Sequence, residues 1–258
     1  MHRIDVFSKE CHIDPKSRHH TKKGIAVRQV FIITSIFTCT IALCSKWNLD
    51  DYGTHQPVLY AMATITSGPI IEFGCGNSST DLLHEICKKN NRILISVDDN
   101  LEWLNKFKQK YIGDGYELDN SGWHKFYYVP GKKDHLNPDH WIEFFNDFAL
   151  LNTIDFDVCF IDQSPWLARY ETIKRLGSKA RYIILHDCDF FPVYNIFGKT
   201  IRPTCYKTQT EGIFDYSDVF TYFKIYYPPK PWPGFSGPPT LLASNVESDF
   251  PEIDFVSY

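Results

Sequence analysis

The sequence predicts an α/β protein: a mostly parallel, doubly wound sheet of seven strands whose last strand is antiparallel, behind an N-terminal extension. Three observations predict it. From residue 66 onward, short apolar runs alternate with segments of helical period, the pattern of a parallel sheet with right-handed crossovers. The runs are continuously apolar, as strands buried on both faces are. Two final strand-like runs, 219–227 and 241–244, follow each other with no helix between them, so the sheet closes on an antiparallel pair.

The elements follow in order. Residues 69–73 form a short apolar strand ending in Gly-Cys-Gly. Residues 78–89 read as a helix with Leu82, Leu83 and Ile86 on one face and Ser78 or Ser79 as N-cap. A strand over 92–97 ends at Asp98-Asp99. Leu101, Leu104, Phe107 and Lys108 give 101–111 helical spacing. Strands over 125–129, 157–161 and 181–185 alternate with helices over 141–148 and 167–176. A loop with six prolines between residues 228 and 239 separates the last two strands; its prolines make it semi-rigid.

Composition narrows the function classes. The 258 residues carry 27 Lys+Arg against 31 Asp+Glu, a formal net charge of -4. A general nucleic-acid binder would be basic. Charged residues are 22% of the chain, which fits an ordinary soluble protein and excludes disordered and multi-span membrane classes. Aromatics are 16%, and Tyr194, Phe197, Phe220, Tyr222, Trp232 and Phe235 fall late, as core or as lining for an acceptor pocket. None of the eight cysteines forms a CxxC pair, which argues for reduced structural thiols and a cytosol-like compartment.

Three segments are expected. Residues 1–29 hold seven Lys/Arg and three acids with little apolar period, the character of a basic flexible extension. Residues 30–46 contain the uncharged run 30–44, shorter than the ~18–20 residues of a spanning helix. Extended to 24–45 with Arg28 snorkelling, it reaches a membrane anchor with a cytoplasmic N-terminus; a packed helix or strand pair and a cleaved signal are the other readings. The α/β domain is expected over 47–258. The chain is therefore expected to be cytoplasmic or membrane-anchored.

The main chemical signal is Glu72-Phe73-Gly74-Cys75-Gly76-Asn77-Ser78-Ser79-Thr80. An acid lies near the end of a buried strand, two glycines turn the chain tightly, and a helix N-terminus follows. Ser79 stands where a dinucleotide fingerprint has its third glycine, and no P-loop Lys-Ser/Thr follows. An NAD-dependent enzyme is thereby disfavoured. Asp98 lies 22 residues beyond Gly76, the distance at which an acid accepts ribose hydroxyls.

The stretches GPIIEFGCGNSST, LISVDDNLEWL, DVCFIDQSP and YIILHDCD occur in that order and resemble a class I S-adenosylmethionine-dependent methyltransferase over roughly residues 50–245. The resemblance implies a seven-stranded sheet with helices on both faces. It implies S-adenosylmethionine as cofactor, with Glu72, Gly74, Cys75, Gly76 and Ser78 at the turn beneath it. Asp98 would hold the ribose, Asp99 would face the adenine side, and Gly53, Thr54 and His55 would fold over the cofactor.

Ligands of open α/β sheets sit beyond the carboxyl ends of the strands, here at Asp162-Gln163-Ser164-Pro165 and His186-Asp187-Cys188-Asp189. Asp162 is expected toward the methionine end of the cofactor and the acceptor, with His186 or Asp187 as general base; the bland reading makes Asp162 and Asp187 caps. A divalent cation on Asp162, Asp187 and Asp189 is the other option. Metal-dependent relatives carry Asn after the second acid, and Cys188 stands there instead, so a cation is disfavoured. The His-Asp pair resembles plant polysaccharide methyltransferases. Arg169 reads as a surface or capping residue, and His84 and His124 as structural. The expected reaction is methyl transfer to an oxygen or nitrogen of a small molecule or saccharide rather than a nucleic acid. The rival reading is a non-catalytic, nucleoside- or partner-binding domain.

Overall fold

The computed structural model describes Trp47 and residues 53–131, 137–188, 204–208, 212–215, 219–228, 238–253 and 255. The basic extension, the apolar run 30–44, Asp189, Tyr194, Phe197, Trp232 and Phe235 lie outside the described residues. No helix of the described residues is long and apolar enough to cross a membrane.

The elements are α1 (Gln56–Ile65), β1 (Ile70–Phe73), α2 (Thr80–Asn90), β2 (Leu94–Asp98), α3 (Leu101–Tyr111), β3 (His124–Tyr128), α4 (Asp139–Asp147), α5 (Leu150–Thr153), β4 (Phe156–Ile161), α6 (Trp166–Leu176), β5 (Ala180–His186), β6 (Thr204–Thr208), β7 (Gly212–Asp215), β8 (Tyr222–Tyr226) and β9 (Thr240–Ser244). Seven strands form one sheet in the order β3-β2-β1-β4-β5-β9-β8. β1 to β5 pair in parallel. β9 inserts antiparallel between β5 and β8, so the last strand runs against the rest. The order reverses between β1 and β4, which opens a crevice at their carboxyl ends.

The two faces of the buried strands read alternately. Ile71, Phe73, Ile95, Val97, Cys159, Ile161, Ile183 and Leu185 face one core with Trp141, Phe145, Ala168 and Ile173 from α4 and α6. Ile70, Leu94, Val158, Phe160 and Ile184 face the other core with Val58, Leu59 and Met62 of α1 and Leu83 and Ile86 of α2. Phe126 of β3 continues that second face against Leu104, Phe107 and Tyr111 of α3.

Two elements go beyond the sequence expectation. α1 is a full helix, started by Pro57 and burying Val58, Leu59, Met62 and Ala63. β6 and β7 make a separate two-stranded sheet. The expected helix over 141–148 is α4, and α5 follows it as a short separate helix. Ser79 occupies the N-cap position of α2 without a side-chain capping bond. Thr80 Oγ1 instead accepts from the Gly76 amide at 2.9 Å. Phe220 is buried in the core, while Tyr222 is exposed. Cys75, Cys87, Cys159 and Cys188 are buried free thiols.

Candidate functional site

The glycine turn is built by backbone necessity. Gly74 has φ +90, and a Cβ there would lie 2.7 Å from the Asp162 backbone. No L side chain suits that conformation or that space. Its amide donates to Val97 O at 2.9 Å, and Asp162 N donates to Phe73 O at 2.8 Å, so the ends of β1, β2 and β4 meet at this residue.

Asp98 ends β2 beside the turn and is 7% exposed. Its carboxylate accepts from Cys75 N at 2.7 Å and from Asn100 N at 2.6 Å. Asn100 caps α3 by accepting from Trp103 N at 3.2 Å, and Trp103 Nε1 donates back to Cys75 O at 2.6 Å. Turn, acid and helix start are therefore one hydrogen-bonded unit. Ser78 belongs to it through its carbonyl, which accepts from Gln56 Nε2 of α1 at 3.0 Å. Asp99 points elsewhere, pairing with His140 Nε2 at 3.0 Å.

Glu72 lies beneath the turn, fully buried. Oε1 accepts from Ser96 Oγ at 2.5 Å, and Oε2 has no hydrogen bond of normal geometry. Burial pushes its pKa up to about 8, against the pull of the Ser96, Thr80 and Ser79 hydroxyls. Ser96 Oγ is 2.8 Å from His124 Nε2, and His124 Nδ1 is 2.9 Å from His84 Nδ1. Burial depresses both imidazoles, so this chain of groups is held neutral.

The rim at the carboxyl ends of β4 and β5 is charged. Arg169 is 7% exposed, not a surface residue. Its guanidinium donates to Gln163 O, His186 O and Asp162 O, to Asp162 Oδ1 at 2.8 Å and to Asp187 Oδ2 at 3.1 Å. It ties the two strand ends together. His186 lies between the carboxylates. Nδ1 is 3.2 Å from Asp162 Oδ1, and Nε2 is 3.5 Å from Asp187 Oδ1. Burial favours ionisation of neither Asp162 nor His186. Their mutual attraction and Arg169 nonetheless hold Asp162 down to about 2, while Asp187 and Asp162 hold the His186 ring above its usual range. Asp187 takes a left-handed backbone, φ 58, which swings its carboxylate back toward Arg169.

Thr54 and His55, at the start of α1, reach this rim, and the His55 ring also lies near the Ser78 backbone of the glycine turn. Thr54 Oγ1 donates to Pro238 O at 2.8 Å and is 3.1 Å from His186 Nε2. The His55 ring meets Phe160 at 4.6 Å and His186 at 4.5 Å between centroids. Burial, then His186, push His55 down to about 3.

No protein-family model and no curated sequence matches the chain. Several solved structures that align with the chain are named as methyltransferases. The human methyltransferase 10 domain containing protein shares 14% identity at TM-score 0.43, covering 84% of this chain and 97% of that one. A cofactor-bound protein from MTB, Rv0187, shares 12% at TM-score 0.46, covering 87% and 93%. A methyltransferase from Clostridium acetobutylicum shares 10% at TM-score 0.39, covering 83% and 98%.

Proposed function

We propose that this protein is an S-adenosylmethionine-dependent methyltransferase acting on an oxygen or nitrogen of a small molecule or saccharide. The observation that carries the reading is the closed unit of Gly74, Cys75 and Asp98 at the switch point between β1 and β4. The residues present suit the cofactor. Gly74 leaves no side chain over the turn, Asp98 stands at the β2 tip for ribose hydroxyls, and α2 presents the positive end of its dipole.

S-adenosylmethionine, when bound, supplies an electrophilic methyl on a sulfonium centre. The chain's own residues bind, orient and accept a proton. The turn and Asp98 fix the nucleoside. The rim of Asp162, His186 and Asp187 faces the acceptor, with Asp162 26% and Asp187 15% exposed above a buried His186. With the cofactor bound, Asp187, which Arg169 holds in place, would take the acceptor's proton. Alignment contributes most of the rate. His186 positions the two carboxylates.

Two observations favour a small or saccharide acceptor. The net charge is -4, and the rim carries two carboxylates against one guanidinium, which disfavours a phosphate backbone. Incubation with methyl-labelled cofactor and three acceptor pools, namely phenols and catechols, oligosaccharides, and oligonucleotides, tests this. Label is expected in one of the first two. Label in oligonucleotides overturns the acceptor class, and a protein that retains no cofactor by native mass spectrometry overturns the enzyme. Asp98→Asn should weaken cofactor binding ~10–100-fold, the loss of charge-assisted bonds to two hydroxyls.

A further inference from the structure

We propose that His55, Asp162 and His186 bind one divalent transition-metal cation at the carboxyl ends of β4 and β5. One ligand atom from each residue lies within 4.8 Å of the others. His186 Nδ1 and Asp162 Oδ1 are 3.2 Å apart, close to the ~3.3 Å edge of a tetrahedron around an ion with ligands at ~2.0–2.1 Å. Small movements of His55 complete the set. The site differs from the carboxylate set that the sequence offered: Asp187 is engaged with Arg169 and stays outside it.

The hydrogen bonds around His186 decide which nitrogen is available. The Thr54 hydroxyl has one proton and donates it to Pro238 O. Toward His186 Nε2 it can only accept, so Nε2 carries a hydrogen. Asp187 Oδ1 stands on the same side of the ring. This is the outer support of a metal-bound histidine: a hydroxyl and a carboxylate fix the tautomer and leave the other nitrogen for the ion. Nδ1 then aims at Asp162 Oδ1, and something positive must lie between them. A proton would satisfy that pair.

His55 points beyond a proton. It is 1% exposed, and neither ring nitrogen has a hydrogen-bond partner of normal geometry, although the Ser78 backbone is near enough to raise the ring's pKa slightly. A buried polar ring without partners calls for an explanation. This one sits edge-on to His186, where its lone pair gives an ion its third donor. Two imidazoles and one carboxylate suit Zn2+, Fe2+ or Co2+ better than Mg2+ or Ca2+. With both rings neutral, Asp162, Asp187 and Arg169 leave one net negative charge for the cation to offset. Three protein ligands leave a position open, and an acceptor hydroxyl bound there would lose its proton more readily. The site itself is independent of the methyl-transfer reading; only its use in activating an acceptor rests on that reading.

The test uses the full chain, stripped with chelator and titrated with Zn2+ by calorimetry and with Co2+ by visible absorption. About one equivalent should bind, with cobalt bands of low-symmetry nitrogen and oxygen coordination. His55→Phe keeps the ring packed on Phe160 and removes both donors. It should lower Zn2+ affinity at least ~10-fold and shrink the rise in Tm that Zn2+ gives the wild type. Cys188→Ser should bind as the wild type does, which separates the site from thiol binding. No bound cation, or equal binding by His55→Phe, overturns the proposal. Titration of the same samples with S-adenosylhomocysteine keeps the two ideas apart. Nucleoside binding without Zn2+ binding sinks the metal site alone, and Zn2+ binding without nucleoside binding sinks the methyl-transfer reading alone.

Discussion

Two buried polar networks lie on this sheet, and they solve the same problem in opposite ways. Under β1, β2 and β3, Glu72, Ser96, His124 and His84 form a hydrogen-bonded chain in which burial suppresses charge. At the ends of β4 and β5, Asp162, His186 and Arg169 keep their charges by pairing, beside an Asp187 whose pKa burial raises. The difference is opposite charge. No cation stands against Glu72 among its described partners, so desolvation wins and its pKa rises. His186 and Arg169 stand against Asp162, so Coulomb attraction wins there and its pKa falls, whereas burial still lifts Asp187 above the usual carboxylate range. Neutral groups suit a scaffold beneath a cofactor turn. Fixed charges suit a rim of the kind proposed above to orient an acceptor.

The strongest way to break this contrast is to remove the guanidinium. Arg169→Met should destabilise the fold by ~3–5 kcal/mol, because two part-buried carboxylates lose their partner. A urea unfolding midpoint that barely moves would show the rim to be better solvated than its burial implies. Arg169→Lys should fall between, since one ammonium cannot span Gln163 O, Asp162 and Asp187 together.

A smaller effect separates the networks by pH. Glu72 has a raised pKa, so between pH 4.5 and about 8 the folded state keeps a proton that the unfolded state has lost. Stability therefore falls as pH rises through that window. Glu72→Gln should flatten this decline, gaining stability over wild type at pH 8 and little at pH 5. Parallel pH profiles for the two proteins would contradict a neutral Glu72. Smaller again is Ser96→Ala, which takes the shared partner from Glu72 and His124 and should cost ~1–3 kcal/mol in urea unfolding.

The neutral side was more legible in the sequence than the charged side. Ile70–Phe73, the Gly74 and Gly76 turn and Asp98 are close in the chain, and their order follows from local rules. Strand β5 and its His186-Asp187 end are also readable, because a buried apolar run stops at polar residues. What joins the rim is not local. Thr54 and His186 are 132 residues apart, and Arg169 is separated from Asp187 by 18. Nothing in composition links them. One signal was present: Val58, Leu59, Met62 and Ala63 have helical spacing, and a helix there carries Thr54 and His55 to the rim. Ser79 holds the N-cap position its residue type suggests but makes no side-chain capping bond, while the Thr80 hydroxyl accepts from Gly76 ahead of the helix.

The central claim is that the Gly74–Asp98 unit binds the nucleoside of S-adenosylmethionine. Calorimetric titration of the full chain with S-adenosylhomocysteine tests it most directly. Saturable binding near one equivalent, weakened in Asp98→Asn and preserved in Asp99→Asn, is the expected result. No heat at high micromolar protein, or binding indifferent to Asp98, would contradict it.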